Sequence, residues 1–343
     1  MPNRTFFAFI LPSLIVMALF IALPIVSVVV QSLYVAHERV IVEVENCQPF
    51  GGCTKELRVD TAAMAELQQA EPLGRFNGLG TYLNRAHLAT AELGAILSSE
   101  RSLGDKLALV FNLPFYKALI FTLVFCFTVT PLAMLLGFTI ALAVNALPKF
   151  TKGPIIFFSL LPMIITPLIG SLILYWMLSP NGILGATLQH IFDDRSLSLR
   201  ASPVLTWIAL LVYGVWTNAP FSFVVFYAGL QTVPSDTLES AMIDGASRWE
   251  RIRFVIMPHL APLATFVALV QLMDNFRVFE PIVGFSAQAH ATSLSWLIYN
   301  DLSGDAQQFG SAGATSVLTI IGVVILLLPV LARTWREFKQ KVV

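Results

Sequence analysis

Polar side chains that could bind a small solute interrupt two otherwise apolar stretches of this chain. The first stretch supplies aromatic rings and one amide, and the second supplies amides, a carboxylate and a guanidinium group. Such a set suits a polyhydroxylated solute, because aromatic faces cover its apolar sides while amides and carboxylates hydrogen-bond its hydroxyls. The candidate binding residues are Tyr213, Trp216, Asn218, Tyr227, Gln271, Asp274, Asn275 and Arg277.

Each candidate also has a purely structural explanation. Asp274 and Arg277 are three residues apart, so on a helix they could simply pair with each other. Asn218, which stands near Pro220, could satisfy backbone groups that the proline frees. The aromatic residues could pack or form a membrane-interface belt. The sequence alone leaves these alternatives open.

Residues for catalysis do not form any familiar constellation. The chain has no G-x-x-x-x-G-K-[S/T], H-E-x-x-H or G-x-S-x-G motif, and its five histidines are scattered. We therefore predict that the chain is not an enzyme and binds no metal or cofactor itself. Cys47 and Cys53 flank a Gln-Pro-Phe-Gly-Gly turn and predict either a small disulfide or two free thiols.

The composition predicts a membrane protein. Of the 343 residues 56% are hydrophobic and only 12% are charged, and the mean hydropathy is +0.75. Several uncharged runs reach the roughly 20 residues that cross a bilayer. The formal net charge of zero indicates no nucleic-acid partner. The fold class is predicted to be all-α and polytopic.

Six apolar runs predict six transmembrane helices. Residues 1–36 hold the first helix, residues 37–116 form a long extramembrane loop, and residues 117–343 form a five-helix core. In the loop we expect a strand at Val40–Val44 and a helical stretch that is broken at Gly94 and Gly104. The predicted spans are Phe6–Val30, Lys117–Ala146, Pro154–Leu178, Val204–Leu230, His259–Met273 and Ala314–Ala332.

The distribution of lysine and arginine predicts the orientation in the membrane. Basic residues gather on one side of the six spans, which is the cytoplasmic side by the positive-inside rule. Both termini and residues 231–258 are therefore expected in the cytoplasm, with the long loop outside. The residues that carry this argument are Arg4, Lys149, Lys152, Arg248, Arg251, Arg253, Arg333, Arg336, Lys339 and Lys341.

Residues 231–258 are polar yet patterned as structure. Asp236 with Glu239 predicts a helix cap, and Ser247 with Glu250 predicts a second one. A glycine turn at Gly245 lies between them, and Pro258 is expected to end the second helix. This pattern favours equally a helix that docks in a partner's groove through Leu238, Ala241 and Met242, and a helix that lies on lipid.

The same residues resemble a known family motif. Glu239-Ser240-Ala241-x-x-Asp244-Gly245-Ala246, followed by Val255-x-Met257-Pro258, is similar to the EAA motif of ABC importer permeases. Ser240, Val255 and Met257 are conservative departures from that motif. Further segments resemble the carbohydrate-type branch, which includes maltose and glycerol-phosphate permeases. These segments are Phe76-x-Gly78-Leu79-x-x-Tyr82, Pro220 and Gly229-Leu230-Gln231-x-Val233-Pro234.

The resemblance implies a complete transport mechanism. The chain would have the type I importer permease fold and would import a sugar, glycoside or polyol by alternating access. It would pair with a second permease, two ATP-binding subunits that hold ATP-Mg, and a periplasmic solute-binding protein in a bacterial inner membrane. The residues that would couple it to the ATPases are Glu239, Ser240, Ala241, Asp244, Gly245, Ala246 and Pro258.

Two departures from the family keep the solute open. The usual Thr-x-Gly-Gly-Pro segment is replaced by residues 283–290, and the outer segment Arg39–Arg75 is longer than usual. A non-sugar solute such as a polyamine, or a sugar phosphate, therefore remains an alternative. A further alternative is a membrane receptor or enzyme that does not transport. The missing catalytic motifs and the presence of the coupling motif both argue against it.

Overall fold

The computed structural model describes residues 3–47, 53–194, 198, 202–304 and 307–341. Within them helices dominate, and the strands form two antiparallel pairs in the polar segment that follows the first helix. The strands are β1 (Tyr34–Val35), β2 (Ile41–Cys47), β3 (Cys53–Val59) and β4 (Arg75–Phe76).

The helices that precede Asn112 form a first group along the chain, and those that follow it form a second. The first group is α1 (Asn3–Met17), α2 (Leu23–Gln31), α3 (Thr61–Ala70), α4 (Gly80–Leu83), α5 (Thr90–Ser98) and α6 (Leu103–Phe111). The second group is α7 (Pro114–Ala146), α8 (Lys149–Ile164), α9 (Pro167–Leu178), α10 (Ile183–Ile191), α11 (Pro203–Leu230), α12 (Ser235–Ile243), α13 (Arg248–Arg251), α14 (Met257–Phe276), α15 (Glu280–Gly284), α16 (Leu294–Ser303) and α17 (Phe309–Lys341). The π-helical turns Ala18–Ala22 and Ile252–Ile256 join α1 to α2 and α13 to α14.

Long apolar helices confirm a polytopic membrane fold. Five described helical segments are long and apolar enough to cross a bilayer, and a bent pair brings the number to six if it counts as one span. The five segments are Phe9–Gln31, Pro114–Ala146, Pro203–Leu230, Arg248–Phe276 and Phe309–Ala332.

The third predicted span is broken rather than straight. α8 and α9 meet at 94°, so a continuous helix over Pro154–Leu178 was a wrong prediction. Ile165 and Thr166 adopt extended backbone conformations, with ψ of 128° and 138°. Thr166 precedes Pro167, whose ring disfavours helical geometry in the residue before it. Hydropathy cannot reveal such a break, because both arms are apolar.

The chain divides into two compact units. The first comprises residues Met1–Tyr116 and Leu297–Ile320, and the second comprises Lys117–Trp296 and Ile321–Val343. The division into residues 1–36, 37–116 and 117–343 stays a prediction.

The first unit contains a hairpin in the polar segment that follows α2. β2 pairs with β3 from Ile41 opposite Val59 to Cys47 opposite Cys53, which confirms the strand expected at Val40–Val44. The side chains of Cys47 and Cys53 lie outside the described part of the chain, so their disulfide stays a prediction.

The helical stretch in the first unit breaks at a different place from the one expected. Gly94 lies inside α5 and Gly104 inside α6, so breaks at these two glycines were wrongly predicted. The interruption falls at Ser99–Ser102, where the Ser102 hydroxyl accepts a hydrogen bond from Asp105 N at 3.2 Å and caps α6. Serine capping outweighs the small cost of a glycine in a helix.

A buried histidine ties the first unit together. The ring of His87 is fully buried, with Nδ1 2.9 Å from Asn84 Oδ1 and Nε2 3.1 Å from both Ser311 O and Thr315 Oγ1. We expect His87→Leu to lower the free energy of unfolding by about 1–3 kcal/mol, because it strands buried polar partners. Thermal melting of the full chain in detergent measures this loss. The exposed His190→Leu variant should melt like the unmodified chain.

The second unit is built around α11, which packs against α7 through two apolar clusters. The clusters share these two helices and differ in the third partner, which is the α15 region for one and α14 for the other. The first cluster contains Phe121, Phe125, Val129, Leu210, Tyr213, Val278, Ile282, Phe285, Ala287 and Ala291. The second contains Ala141, Val144, Phe223, Phe226, Leu230 and Leu260.

Candidate functional site

The segment that joins α11 to α14 begins with a short exposed helix. α12 starts after Pro234, which is its N-cap residue and contributes no side-chain hydrogen bond. The predicted cap at Asp236 was therefore wrong, because Asp236 lies inside the first turn. Pro234 has extended backbone geometry and sets the start of the helix one residue before Asp236.

α12 ends in a glycine turn, as predicted. Gly245 has a φ of +81°, and Ala246 N donates to Ala241 O at 2.9 Å across the turn. A positive φ suits glycine, because it lacks the Cβ atom that strains other residues there. The turn fixes the direction in which the chain leaves α12.

The helix after the turn carries the predicted capping box. Glu250 N donates to Ser247 Oγ at 3.3 Å, and Ser247 N donates to Glu250 Oε2 at 2.7 Å. The prediction that Pro258 ends this helix was wrong. Pro258 lies in the first turn of α14, and the helix continues from Arg248 to Phe276. The wider π-helical turn before it accommodates the proline ring.

The turn and α12 present an acidic and apolar surface. Glu239 and Asp244 are exposed, and Met242 and Ile243 are 49% and 86% exposed. Leu238 and Ala241, which were expected to contact a partner together with Met242, are half-buried. The apolar part of the exposed surface therefore lies toward the C-terminal end of α12. Ser240 and Ala246 complete the predicted coupling residues, and the Ser240 hydroxyl donates to Asp236 O at 2.8 Å.

A polar cavity of about 460 Å³ lies in the second unit. This size falls within the roughly 300–1,000 Å³ of small-molecule sites. Helices α11 and α14, which the exposed segment joins, supply much of its lining. The lining residues are Phe125, Pro167, Gly214, Thr217, Asn218, Asp274, Asn275, Arg277, Val278, Glu280 and Pro281.

The structure brings half of the predicted binding residues to this cavity and leaves the other half elsewhere. Those that line it are Asn218, Asp274, Asn275 and Arg277. Those outside the lining are Tyr213, Trp216, Tyr227 and Gln271.

The predicted aromatic residues are occupied with packing. Tyr213 is only 2% exposed, and its hydroxyl donates to Pro167 O at 2.6 Å, next to the bend between α8 and α9. The Trp216 ring lies 6.0 Å from the Tyr213 ring, and the Tyr227 ring lies 5.8 Å from Phe223. The Tyr213 hydroxyl ties α11 to the bend, and the two ring contacts lie within α11 itself.

Amide side chains fix the spacing of the helices that line the cavity. Gln271 is 2% exposed, and its Nε2 donates to Asn218 O at 3.0 Å and to Ser222 Oγ at 2.7 Å, so it ties α14 to α11. Asn275 Nδ2 donates to Thr130 Oγ1 at 2.9 Å and ties α14 to α7. Gln271 is therefore a positioning residue.

The charged groups of the cavity are one ion pair and one further carboxylate. Arg277 and Asp274 pair at 2.7 Å, with side chains 60% and 51% exposed. An exposed pair of this kind contributes about 0–1 kcal/mol, so a solute can replace it at low cost. Within the described residues, the Glu280 carboxylate has no ion-pair partner, and no three His, Cys, Asp or Glu side chains are placed to share a metal ion.

Sequence reasoning missed Thr217 and Glu280. Glu280 lies after the fifth predicted span, His259–Met273, in a segment for which the sequence predicted no helix. Glu280-Pro281 begins α15, and a proline after an acidic residue is a helix-start signal that could have revealed it. Thr217 carries no such signal, because a threonine inside an apolar helix usually bonds its own backbone, as it does here to Tyr213 O at 3.0 Å.

Comparisons with known proteins agree with this architecture. The chain is 29% identical over 213 residues to the trehalose/maltose transport system permease protein MalF of Thermococcus litoralis, covering 60% of this chain and 70% of that protein. It is 28% identical over 258 residues to the trehalose transport system permease protein SugA of Mycobacterium tuberculosis, covering 74% of this chain and 80% of that protein.

A solved structure has the same fold over nearly the whole chain. It belongs to a bacterial ABC transporter involved in the import of the acidic polysaccharide alginate, and it superposes with a TM-score of 0.67. It shares 18% identity, and the match covers 97% of this chain and 96% of that one. Residues 107–337 match the family of binding-protein-dependent transport system inner membrane components. The chain belongs to this family.

Proposed function

We propose that this chain is the membrane-spanning permease subunit of an ATP-driven importer for a sugar, glycoside or polyol. One observation carries the proposal. The two helices that supply much of the polar lining of the cavity, α11 and α14, are joined by the exposed segment that holds α12 and the Gly245 turn. A force on that segment is therefore transmitted to the cavity through α11 and α14.

The exposed segment is the coupling element of this mechanism. Met242 and Ile243 offer apolar anchors, and Glu239 and Asp244 offer charges, at the surface of α12. An ATP-binding subunit seats this helix in a groove, as amphipathic helices are commonly recognised. ATP-driven closure of the two ATP-binding subunits then moves α12 and shifts α11 and α14 between two arrangements. ATP-Mg is held by those subunits.

The remaining partners follow from the family. A second permease subunit completes the translocation pathway, and a solute-binding protein delivers the solute from outside. A neighbour in the fold comparison was solved in complex with an alginate pentasaccharide-bound periplasmic protein, which supports such a delivery step here. By the positive-inside rule, the basic residues favour a cytoplasmic location in a bacterial cell for both termini and the coupling element, with the β2–β3 hairpin outside.

The cavity favours an uncharged solute. Its amide groups on Asn218 and Asn275 and the carboxylate of Glu280 suit hydroxyl groups, which both donate and accept hydrogen bonds. Two carboxylates against one guanidinium group repel an anion, so a sugar phosphate fits poorly. The relatives named for trehalose and maltose transport act on neutral sugars, which supports this solute class.

A binding screen of the cognate solute-binding protein tests the solute class. Neutral sugars, glycosides and polyols are compared with uronates, sugar phosphates and polyamines by thermal shift. Stabilisation by a neutral compound, together with ATP-dependent uptake of that compound by the reconstituted importer, supports the proposal. Stabilisation by a sugar phosphate or a polyamine alone would refute the solute class and leave the permease role intact.

A substitution in the cavity tests the role of its lining. We expect Asn218→Leu to lower uptake of the identified solute by roughly tenfold, because a hydrogen-bonding group is replaced by an apolar one. Solute binding by the separate binding protein should not change. The matched control is Trp216→Phe on the same helix, which lies outside the cavity lining and should retain uptake. Equal uptake by both variants would contradict a role for the cavity.

A further inference from the structure

Arginine and exposed aromatic side chains cluster where the chain leaves the coupling element and enters the membrane. We name residues Arg248–Phe254 the basic turn. It contains Arg248, Arg251 and Arg253, and its Trp249 and Phe254 side chains are 65% and 67% exposed. The Arg253 guanidinium carbon lies 5.6 Å from the centre of the Phe254 ring. Large exposed aromatics beside arginines require a partner that is both anionic and apolar.

The positive charge of the basic turn is not neutralised within the protein. Its one acidic residue, Glu250, is engaged in the capping box, where it accepts a hydrogen bond from Ser247 N. None of the three arginines forms an ion pair with any residue that the structure describes. In the same described part of the chain, Arg251 Nε is buried without a hydrogen-bond partner. The segment therefore carries positive charge that no described residue neutralises.

The length of the following helix places the basic turn at the membrane surface. Phe254–Met273 contains no Asp, Glu, Lys or Arg. At a rise of 1.5 Å per residue this run measures about 30 Å, which equals the thickness of the hydrocarbon core of a bilayer. Arg248–Arg253 then lie within about 9 Å of the edge of that core, which is the depth of the phospholipid headgroups.

We infer that the basic turn binds the headgroups of anionic phospholipids, with Trp249 and Phe254 inserted at the level where headgroups meet acyl chains. This inference rests on the membrane orientation of the proposed function and is independent of the solute. Lipid fits better than the ATP-binding subunit as the occupant, because α12 already provides a distinct acidic and apolar surface for that subunit. Arginines and aromatics at a helix end are the pattern that anionic membrane surfaces attract.

Bound lipid would hold the start of α14 at a fixed depth. The π-helical turn Ile252–Ile256 overlaps the end of the basic turn, and the cavity residues Asp274 and Asn275 lie at the other end of the same helix. A helix fixed at one end pivots rather than slides when α12 moves. The headgroup contact therefore sets the point about which α14 turns.

Lipid retention by the purified full-length chain tests the inference. The chain in detergent is mixed with equal amounts of phosphatidylglycerol, which is anionic, and phosphatidylcholine of the same chain length, and the retained lipids are counted by native mass spectrometry. We expect preferential retention of phosphatidylglycerol, and a loss of that preference by roughly tenfold in R248Q/R251Q/R253Q. R248K/R251K/R253K should keep it, because lysine preserves the charge.

A matched variant controls for overall charge. R75Q/R85Q/R101Q removes the same number of exposed arginines from the first unit and should retain phosphatidylglycerol like the unmodified chain. If the triple glutamine variant does not fold, each single glutamine variant should still lower the preference by about two- to threefold.

Two results would overturn the inference. They are equal retention of the two lipids by the unmodified chain, and an unchanged preference for phosphatidylglycerol in R248Q/R251Q/R253Q. If that variant also lost the ATP-binding subunits from the assembled complex, the basic turn would be assigned to a protein partner instead. Since no step of the assay involves transport, failure of the inference leaves the proposed function untouched.

Discussion

Replacing Gly245 with valine should remove most solute uptake by the assembled importer without removing the chain from the membrane. Gly245 has a φ of +81°, a conformation that costs residues with a Cβ atom about 1–2 kcal/mol and β-branched residues more. The Cβ itself would meet open space, with no atom within 4 Å. The substitution therefore strains the turn between α12 and α13 and does not disturb packing.

The strain changes the direction in which the chain leaves α12, the helix that couples to the ATP-binding subunits in the proposed function. A cost of 1–2 kcal/mol lowers the population of the native turn roughly 5- to 30-fold relative to other turn conformations. Only the native turn presents Ile243 and Glu239 to a partner while α14 continues into the membrane. We expect uptake and solute-stimulated ATP hydrolysis to fall together, by about tenfold, at equal abundance of the permease in the membrane fraction.

An asparagine at the same position separates backbone strain from loss of the glycine itself. Asparagine adopts positive φ more readily than other residues with a Cβ atom, so Gly245→Asn should keep most of the uptake. If the valine and asparagine variants transported equally well at equal abundance, the turn geometry would have no part in coupling. If both lost uptake equally, the glycine would be needed for close contact with the partner.

Local signals in the sequence predicted much of the local structure of residues 231–258. The Ser247 capping box and the glycine turn depend on residues within a few positions of each other, and both are present in the structure. Asp236 was misassigned because Pro234 offered a competing start two residues earlier. Capping patterns identify a helix end more reliably than they identify which of two neighbouring residues makes it.

Features that depend on backbone path were predicted less well. Pro258 was expected to end a helix, but the helix continues past it after a π-helical turn. Pro167 was expected inside a span, but its effect on Thr166 breaks that span by 94°. Pro167 and Pro258 are the same residue type, so the presence of a proline alone does not predict whether a helix bends.

Half of the predicted binding residues line the cavity, and the difference between the two halves has a physical reason. Asn218 and Asp274 stand out because polar groups in an apolar run need partners or a ligand. Tyr213 and Tyr227 stand out equally in sequence, yet aromatic side chains fill helix interfaces as readily as they bind solutes. Glu280 was missed because the chain turns back after Arg277 and adds α15 to the lining, a tertiary event that no local pattern records.

Leucine at Gly137 should cause a large loss of stability in the second unit. A Cβ atom at Gly137 would lie 2.5 Å from Ser222 Cβ, 2.6 Å from Phe223 N and 2.8 Å from Ala219 O. These atoms belong to the α11 backbone or stand next to it, so they cannot move aside as the end of a flexible side chain can. α7 and α11 must separate, at a cost of about 3 kcal/mol or more for a full leucine side chain.

The separation of α7 and α11 would displace residues that line the cavity. Asn218 is the residue before Ala219, and Asn275 holds α14 to α7 through Thr130. Unfolding by sodium dodecyl sulfate in mixed micelles measures the stability, and uptake by the surviving protein measures the cavity. The control is Gly153→Leu, which adds the same atoms at an exposed helical glycine whose Cβ atom would have nothing within 4 Å. This variant should leave the stability unchanged or slightly raised, because leucine favours helix more than glycine does. Equal stability of the two leucine variants would show that α7 and α11 are not in the close contact on which the positions of the cavity residues depend.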